Sequence, residues 1–449
     1  MIRKKTKALV ASAIFACVCF LAGLPFSRAE TAAQPCEIGA YRMASGEYLV
    51  ITPSDELLRY RLLDGRSGRL YRKSSTEFFS GPGWASKEPV IATAKFAGCK
   101  QVEFHLRGGP NGVAQRVAIS KTPARFVSDG NSLYGELYLP PNGKPRALVV
   151  GVYGSGRESA TANNYLQHLL PLQGIATFIY DKRGTGTSEG RFSVDFDVLA
   201  NDAVAALQQA RRMLGDASVP SGFMGESQGG WIAPLAATRT PVDFTVVAFG
   251  LAVSPLEESR EEITDALREK GYGDDAVAKA MQLTDVTARI VFTHFKEGVN
   301  QLAALKKQYA QEPWLPLAEG DFTGLLIRAS DEELAKLRET LNFDISMYYE
   351  PEPVLSRVDS PMLWVLGGED TEAPSRTTLA VLKELQPKVK QLDIALFPHA
   401  DHGIIDVEVK DGERTSLGHS PGYHQLLADW MATRKLSSKY GDAQLMPDR

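Results

Sequence analysis

The stretch Gly225-Glu226-Ser227-Gln228-Gly229 places a serine between two glycines at the spacing G-x-S-x-G. The chain contains 39 glycines, so the bare pattern can arise by chance and its surroundings must give it meaning. Ser227 follows the strand-like "SGFM" and precedes the helix-like "GGWIAPLAA". A strand, a sharp turn and a helix in that order lift a serine hydroxyl to the mouth of a sheet, where it can attack a carbonyl carbon. The flanking glycines are required because a side chain there would strike the neighbouring strand or helix.

A hydroxyl is a poor nucleophile near neutral pH, so it needs a base within hydrogen-bond reach and a carboxylate that orients the base. Of the 7 histidines, His402 in "FPHADHG" lies just beyond a strand-like run near the C-terminus. His399 is the competing candidate, but it still belongs to the strand exit. His105 falls in a β-rich region, His168 and His424 in helices expected at the surface, His294 in a helical stretch and His419 in the turn before the last helix. Structural or surface roles suit these five. For the carboxylate, "WVLGGEDTEAP" offers Asp370 just beyond a strand's Gly-Gly exit, with Glu369 in reserve and Glu372 expected to be solvated. The chain order Ser, Asp, His agrees with the strand-turn-helix setting of the serine.

Attack on a carbonyl creates an oxyanion, which backbone N–H groups can stabilise. "GVYGSGRES" follows the strand-like "RALVV", and its Gly154 and Gly156 allow close approach of chain and substrate. Ser155 and Gln228, the residue after the nucleophile, are the expected donors. Acyl transfer to water by these groups needs neither a metal nor an organic cofactor.

The elements that must hold these loops are legible as a rhythm. From about 128 onward, β-rich runs alternate with helical stretches, the pattern of a mostly parallel sheet covered by helices on both faces. The runs "LYGELYLP", "RALVVGVYG", "IATFIYD", "SGFMG" and "VDFTVVAFG" read as strands, interleaved with helices such as "DVLANDAVAALQQARRML". Residues 254–358 break the rhythm with charged, helix-forming sequence, which predicts a helical cap inserted between two strands. "PMLWVLGG", "SRTTLAVLKELQ", "QLDIALFP" and "GYHQLLADWMATRK" then resume it. Upstream, short alternating runs such as "EYLVI" and "QVEFHL", punctuated by "DGRSG" and "GGPNG", predict a small antiparallel β-rich domain. The expected boundaries are 1–29 for a signal peptide, 30–125 for the β-rich domain, 126–253 and 359–437 for the two parts of the core, 254–358 for the cap and 438–449 for a C-terminal tail.

At the N-terminus, "MIRKK" precedes the apolar "ALVASAIFACVCFLAGLPF" and the small residues Ser27 and Ala29, which predicts a cleaved secretory signal and a secreted or periplasmic protein. An uncleaved membrane anchor is the alternative reading, and after cleavage no stable membrane span is expected. Removal of the signal discards Cys17 and Cys19 and leaves Cys36 and Cys99, either as two buried thiols or as a disulfide closing a loop of about 64 residues. A hydrophobic content of 44% and charged content of 23% describe an ordinary globular chain. A net charge of −4 without a basic stripe gives no reason to expect a nucleic-acid partner, so the expected partner is a small ester or short peptide. Nothing in the chain sets an oligomeric state.

The stretches "YGSG", "DKRGTGTSEG", "GESQGG", "GGEDTEAP" and "ADHG", in that order and each at a strand end, resemble the α/β-hydrolase superfamily, in particular bacterial serine esterases and prolyl-oligopeptidase-like hydrolases. The resemblance spans about 127–435, with the cap as its variable insert. It implies an ester hydrolase with a Ser227-Asp370-His402 triad. It also implies structural roles for Asp181 and Arg183 in a tight turn. Tyr153 departs from it, since many members carry histidine there. A serine peptidase is the second expectation; for an aminopeptidase, Glu257, Glu258, Glu261 and Glu262 of the cap are candidates to hold a substrate amine. A non-catalytic binding protein with the same fold is the third.

Overall fold

The computed structural model describes residues 35–448, apart from 55–56, 321, 342–343 and 411–412. The expected signal segment, with Cys17 and Cys19, lies outside the described residues. Among the described residues no helix is long and apolar enough to cross a membrane.

The first eight strands, β1 (Gly39–Met43), β2 (Tyr48–Ser54), β3 (Leu57–Leu62), β4 (Ser67–Arg72), β5 (Glu77–Ser80), β6 (Ala92–Ala97), β7 (Gln101–Leu106) and β8 (Asn111–Val117), close into an antiparallel barrel. Alternation drives the closure: in β6 and β7, every second side chain is buried. Tyr41, Leu49, Tyr60, Phe78, Phe96 and Phe104 fill the interior together with aliphatic side chains, so the barrel is a packed core. Cys36 and Cys99 form a disulfide that ties the segment before β1 to the connection between β6 and β7.

The larger sheet has nine strands in the order β20-β16-β15-β14-β13-β11-β12-β10-β9. These are β9 (Ser120–Ser128), β10 (Asn131–Leu139), β11 (Ala147–Val152), β12 (Ile175–Tyr180), β13 (Ser221–Glu226), β14 (Phe244–Ala248), β15 (Met362–Gly367), β16 (Leu392–Phe397) and β20 (Gln444–Met446). The run from β12 to β16 is parallel, whereas β9, β10 and β20 are joined by antiparallel pairings. Burial explains the composition of the central strands: every residue of β11 to β16 is buried except Leu396, because helices cover both faces. On one face, helix Phe196–Leu214 starts at an Asp195 cap and packs Leu199, Ala203 and Leu207 onto the sheet. On the other, helix Tyr423–Thr433 contributes Leu427, Trp430 and Met431.

Between β14 and β15 the chain leaves the sheet for the cap, helices Pro255–Glu269, Asp274–Phe292, Val299–Gln308, Thr323–Arg328, Asp331–Thr340 and Pro351–Leu355. The first begins where Ser254 caps the Glu257 N–H and Pro255 occupies the first helical position. After β16 the chain runs out into a three-stranded antiparallel sheet, β17 (Ala400–Asp401), β18 (Ile405–Lys410) and β19 (Glu413–His419).

Three features differ from the expected organisation. Strand β9 begins at Ser120 and belongs to the large sheet, so a boundary at 125 falls inside a strand. Its burial pattern is mostly exposed, and an edge strand lacks the apolar signal of a central one. The segment 438–449 contains β20, paired with β16, and is part of the sheet rather than a tail. The excursion β17 to β19 falls where only a turn was expected, its polar strands being largely solvent-facing.

Candidate active site

Ser227 sits immediately after β13 with φ of 52°, a left-handed conformation that is costly for a residue with a side chain. The surrounding packing enforces the turn. A Cβ on Gly225 would lie 2.0 Å from the Gly229 carbonyl oxygen, and one on Gly229 would lie 2.0 Å from that of Val152. Both glycines of the motif are thus close-approach positions. The Ser227 N–H donates to Ala248 O at 3.2 Å, which fixes the elbow against the end of β14.

The Asp370 carboxylate stands beyond β15 and is 7% exposed. Its Oδ1 accepts from the Glu372 N–H at 3.0 Å and the Ala373 N–H at 2.7 Å. Its Oδ2 faces His402 Nδ1 at 3.0 Å. This places the His402 proton on Nδ1 and leaves Nε2 as the basic nitrogen. Burial disfavours the imidazolium, but the Asp370 charge and its hydrogen bond outweigh burial, with help from Glu372 and Asp401, and His402 is pushed up to about 9. Phe249, which follows β14, packs edge-on against the imidazole at 4.9 Å between ring centroids. Asp401 accepts from the His402 N–H at 2.8 Å and from Arg414 Nε at 3.0 Å, anchoring the loop.

The loop after β11 faces the elbow: a Cβ on Gly154 would lie 3.2 Å from Ser227 Cβ and 3.5 Å from its Oγ. Among the described residues the N–H groups of Ser155 and Gln228 donate to no protein acceptor. Gln228 stands at the N-terminus of helix Gly229–Ala237, whose dipole favours negative charge at that point. All five expected residues therefore lie at the C-terminal ends of β11, β13, β15 and β16, on one edge of the sheet. A family model described as serine aminopeptidase, S33, matches residues 143–293, which include the β11 loop and the elbow.

The chain has the α/β-hydrolase fold. Its curated relatives include a monoglyceride lipase of Rattus norvegicus, 29% identical over 161 residues, which are 35% of this chain and 51% of that protein. The chain thus spans about half the length of the curated relative it matches. Among solved structures, an esterase of Pyrococcus furiosus aligns with 64% of this chain and 86% of its own, with a TM-score of 0.41 and 12% identity. An acylaminoacyl peptidase of Pyrococcus horikoshii aligns with 81% and 51%, with a TM-score of 0.38 and 14% identity.

The remaining sequence candidates separate cleanly. His399 is exposed, and Glu369 faces Arg414 at 3.7 Å. Glu372 is exposed, but its Oε1 is 3.7 Å from His402 Nε2, so it stands at the rim of the site rather than in bulk solvent. Asp181 accepts hydrogen bonds from Ser159, Thr161 and Thr187, and Arg183 pairs with buried Asp202 at 2.6 Å, both inside the turn after β12. His105 pairs with Glu103 and His294 with Asp344.

Three histidines differ from expectation. His424 is fully buried, His168 is half-buried and His419 is 5% exposed. The helices that carry His168 and His424 lie between the sheet and the barrel, a second covering layer that helical periodicity alone does not reveal. Tyr153, at the position of the resemblance's histidine, folds back along β11: a Cβ on Gly151 would lie 2.4 Å from its hydroxyl.

Two residues near the site carried no sequence expectation. Glu226 is buried directly before Ser227, and burial pushes its carboxyl up to about 7 against a hydrogen bond from Asn164 and the nearby His402. A charged residue at the end of a fully buried strand was the available signal. Lys182 Nζ donates to Gly154 O at 2.6 Å, and its place in "DKRG", beside Asp181 and Arg183, gave no hint of that reach.

Proposed function

We propose that this α/β-hydrolase cleaves carboxylic esters of small acyl substrates through an acyl-enzyme on Ser227. The observation that carries the reading is the buried Asp370–His402 hydrogen bond at the strand ends beside a serine held at positive φ. Ser227 Oγ attacks the carbonyl carbon and His402 Nε2 takes its proton, while Asp370 stabilises the imidazolium. The Ser155 and Gln228 N–H groups bind the resulting oxyanion. The carbon–oxygen bond to the alcohol breaks, the alcohol leaves with the proton from His402, and the acyl group stays on Ser227. Water attacks that ester and gives its proton to His402, which passes it to Ser227 Oγ as the acid leaves, so that both the serine hydroxyl and the neutral imidazole are regenerated.

Ser227→Ala is expected to abolish hydrolysis of a p-nitrophenyl ester and labelling by a fluorophosphonate while the cooperative melt is retained. Substantial turnover in a folded variant overturns the assignment.

Peptide-bond cleavage at a free amino terminus is the second reading, and Glu372 is the observation that favours it, since an exposed carboxylate beside His402 can receive a substrate ammonium. The cap acids favour it less: Glu257 faces Arg260, and Glu261 binds Arg376 and the Thr377 N–H. A higher kcat/KM on an aminoacyl p-nitroanilide than on p-nitrophenyl acetate would make the enzyme an aminopeptidase. For the compartment we propose a secreted or periplasmic location, supported by the Cys36–Cys99 disulfide, which persists in oxidising surroundings.

A further inference from the structure

The barrel contacts β19 of the three-stranded sheet whose β17–β18 turn carries His402. Backbone pairing joins the two: the His419 N–H donates to Gly65 O at 3.0 Å and the Trp84 N–H to Ser416 O at 2.8 Å. Contact is so close at Gly65, whose φ is 100°, that a Cβ there would lie 2.2 Å from the His419 carbonyl oxygen.

Arg61 of β3 adds a side-chain link. Its neighbours Tyr60 and Leu62 face the barrel core, so Arg61 faces outward, yet it is 7% exposed because the hydrolase core covers it. Its guanidinium stacks over the Tyr165 ring at 4.1 Å, its Nε bonds Thr52 Oγ1 at 3.3 Å, and its Nη1 meets His419 Nε2 at 2.7 Å. Among the described residues no carboxylate lies within ion-pair distance of it. A guanidinium only donates, so His419 Nε2 must accept. The His419 proton is then on Nδ1, which lies 3.2 Å from Gly403 O and donates to it. Gly403 directly follows His402 and adopts φ of 76°.

We propose that Arg61 and His419 are positioning residues: the barrel arginine fixes the His419 tautomer, and His419 in turn clamps the Gly403–Ile404 peptide, one residue beyond His402. The barrel is thereby part of the catalytic apparatus. This rests on His402 being the general base. A base displaced by a fraction of an ångström still permits substrate binding but loses proton transfer, so the effect falls on kcat and not on KM.

The experiment uses full-length variants that retain a cooperative melt. His419→Gln keeps an acceptor for Arg61 but removes the donor to Gly403; His419→Asn removes the acceptor and keeps an amide N–H near Gly403. His419→Gln is expected to lower kcat about tenfold or more with KM within about twofold, and His419→Asn to recover most of that loss. Arg61→Met, which frees the tautomer, is expected to lower kcat by an intermediate factor. Wild-type kcat in both His419 variants, equal losses in both, or a change confined to KM overturns the proposal. Ser227→Ala run alongside separates the two ideas: turnover surviving in Ser227→Ala rejects the triad reading, whereas an inactive Ser227→Ala beside unaffected His419 variants rejects the clamp alone.

Discussion

Lys182 Nζ donates a 2.6 Å hydrogen bond to the carbonyl oxygen of Gly154. That carbonyl and the Ser155 N–H belong to one trans peptide unit and point in opposite directions. By holding the carbonyl, Lys182 aims the N–H that is the proposed oxyanion donor. Removing one such donor costs about 3 to 4 kcal/mol of transition-state stabilisation, so Lys182→Met should lower kcat about a hundredfold or more with little change in KM. Unchanged steady-state kcat in the folded variant would remove Lys182 from this role.

The acid limb of the rate profile should lie at unusually high pH. The proposed base, His402, can accept a proton only when neutral, and it is pushed up to about 9, so kcat/KM should climb as pH rises from 7 toward 9. Glu372 contributes to that upward push, and Glu372→Gln should therefore move the limb to lower pH and raise kcat/KM at pH 7. A limb that stays in place shows that Glu372 does not act on His402.

Gly229 should tolerate no side chain. Its added Cβ would lie 2.0 Å from Val152 O, in the strand that leads to the oxyanion loop. Gly229→Ala is expected to cost more than about 2 kcal/mol in denaturant unfolding and to remove activity even where some folded protein survives. A folded, active Gly229→Ala enzyme contradicts this packing.

Reduction should weaken the barrel. The disulfide joins Cys36 to Cys99, and Arg116 donates to both of their carbonyl oxygens at 2.7 and 3.1 Å. The chain-entropy model assigns such a loop about 4 kcal/mol, so the Cys36→Ser/Cys99→Ser variant should unfold at markedly lower urea concentration. Identical midpoints for wild type and variant would contradict a stabilising role.

Sequence patterns were most readable where burial was complete. The strands β11 to β16 are mostly apolar and the loops at their ends carry residue types suited to acyl transfer, so Ser227, Asp370, His402, Ser155 and Gln228 could be named together. Edge elements were obscure: β9 and β20 are partly exposed and lack a clear apolar signal. The barrel was legible as short alternating strands but not as a closed ring, because closure depends on β1 pairing with β8 across the full length of the module. Contacts such as Lys182 with Gly154 and Arg61 with His419 join residues far apart in sequence, and only the folded chain brings them within reach. His424 was misread for the same reason, since a helix with one face on the sheet also needs its other face examined.

The cap departs from β14 and returns to β15, two strands that lie side by side. An insert whose ends are neighbours can be exchanged as a cassette without altering the spacing of the strands beneath it. Two of its fixed points are specific: Glu261 accepts from the Thr377 N–H and Ser346 Oγ from the Phe196 N–H. A library of grafted caps that keeps those two acceptors would diversify substrate preference while every strand that leads to a proposed catalytic group stays constant.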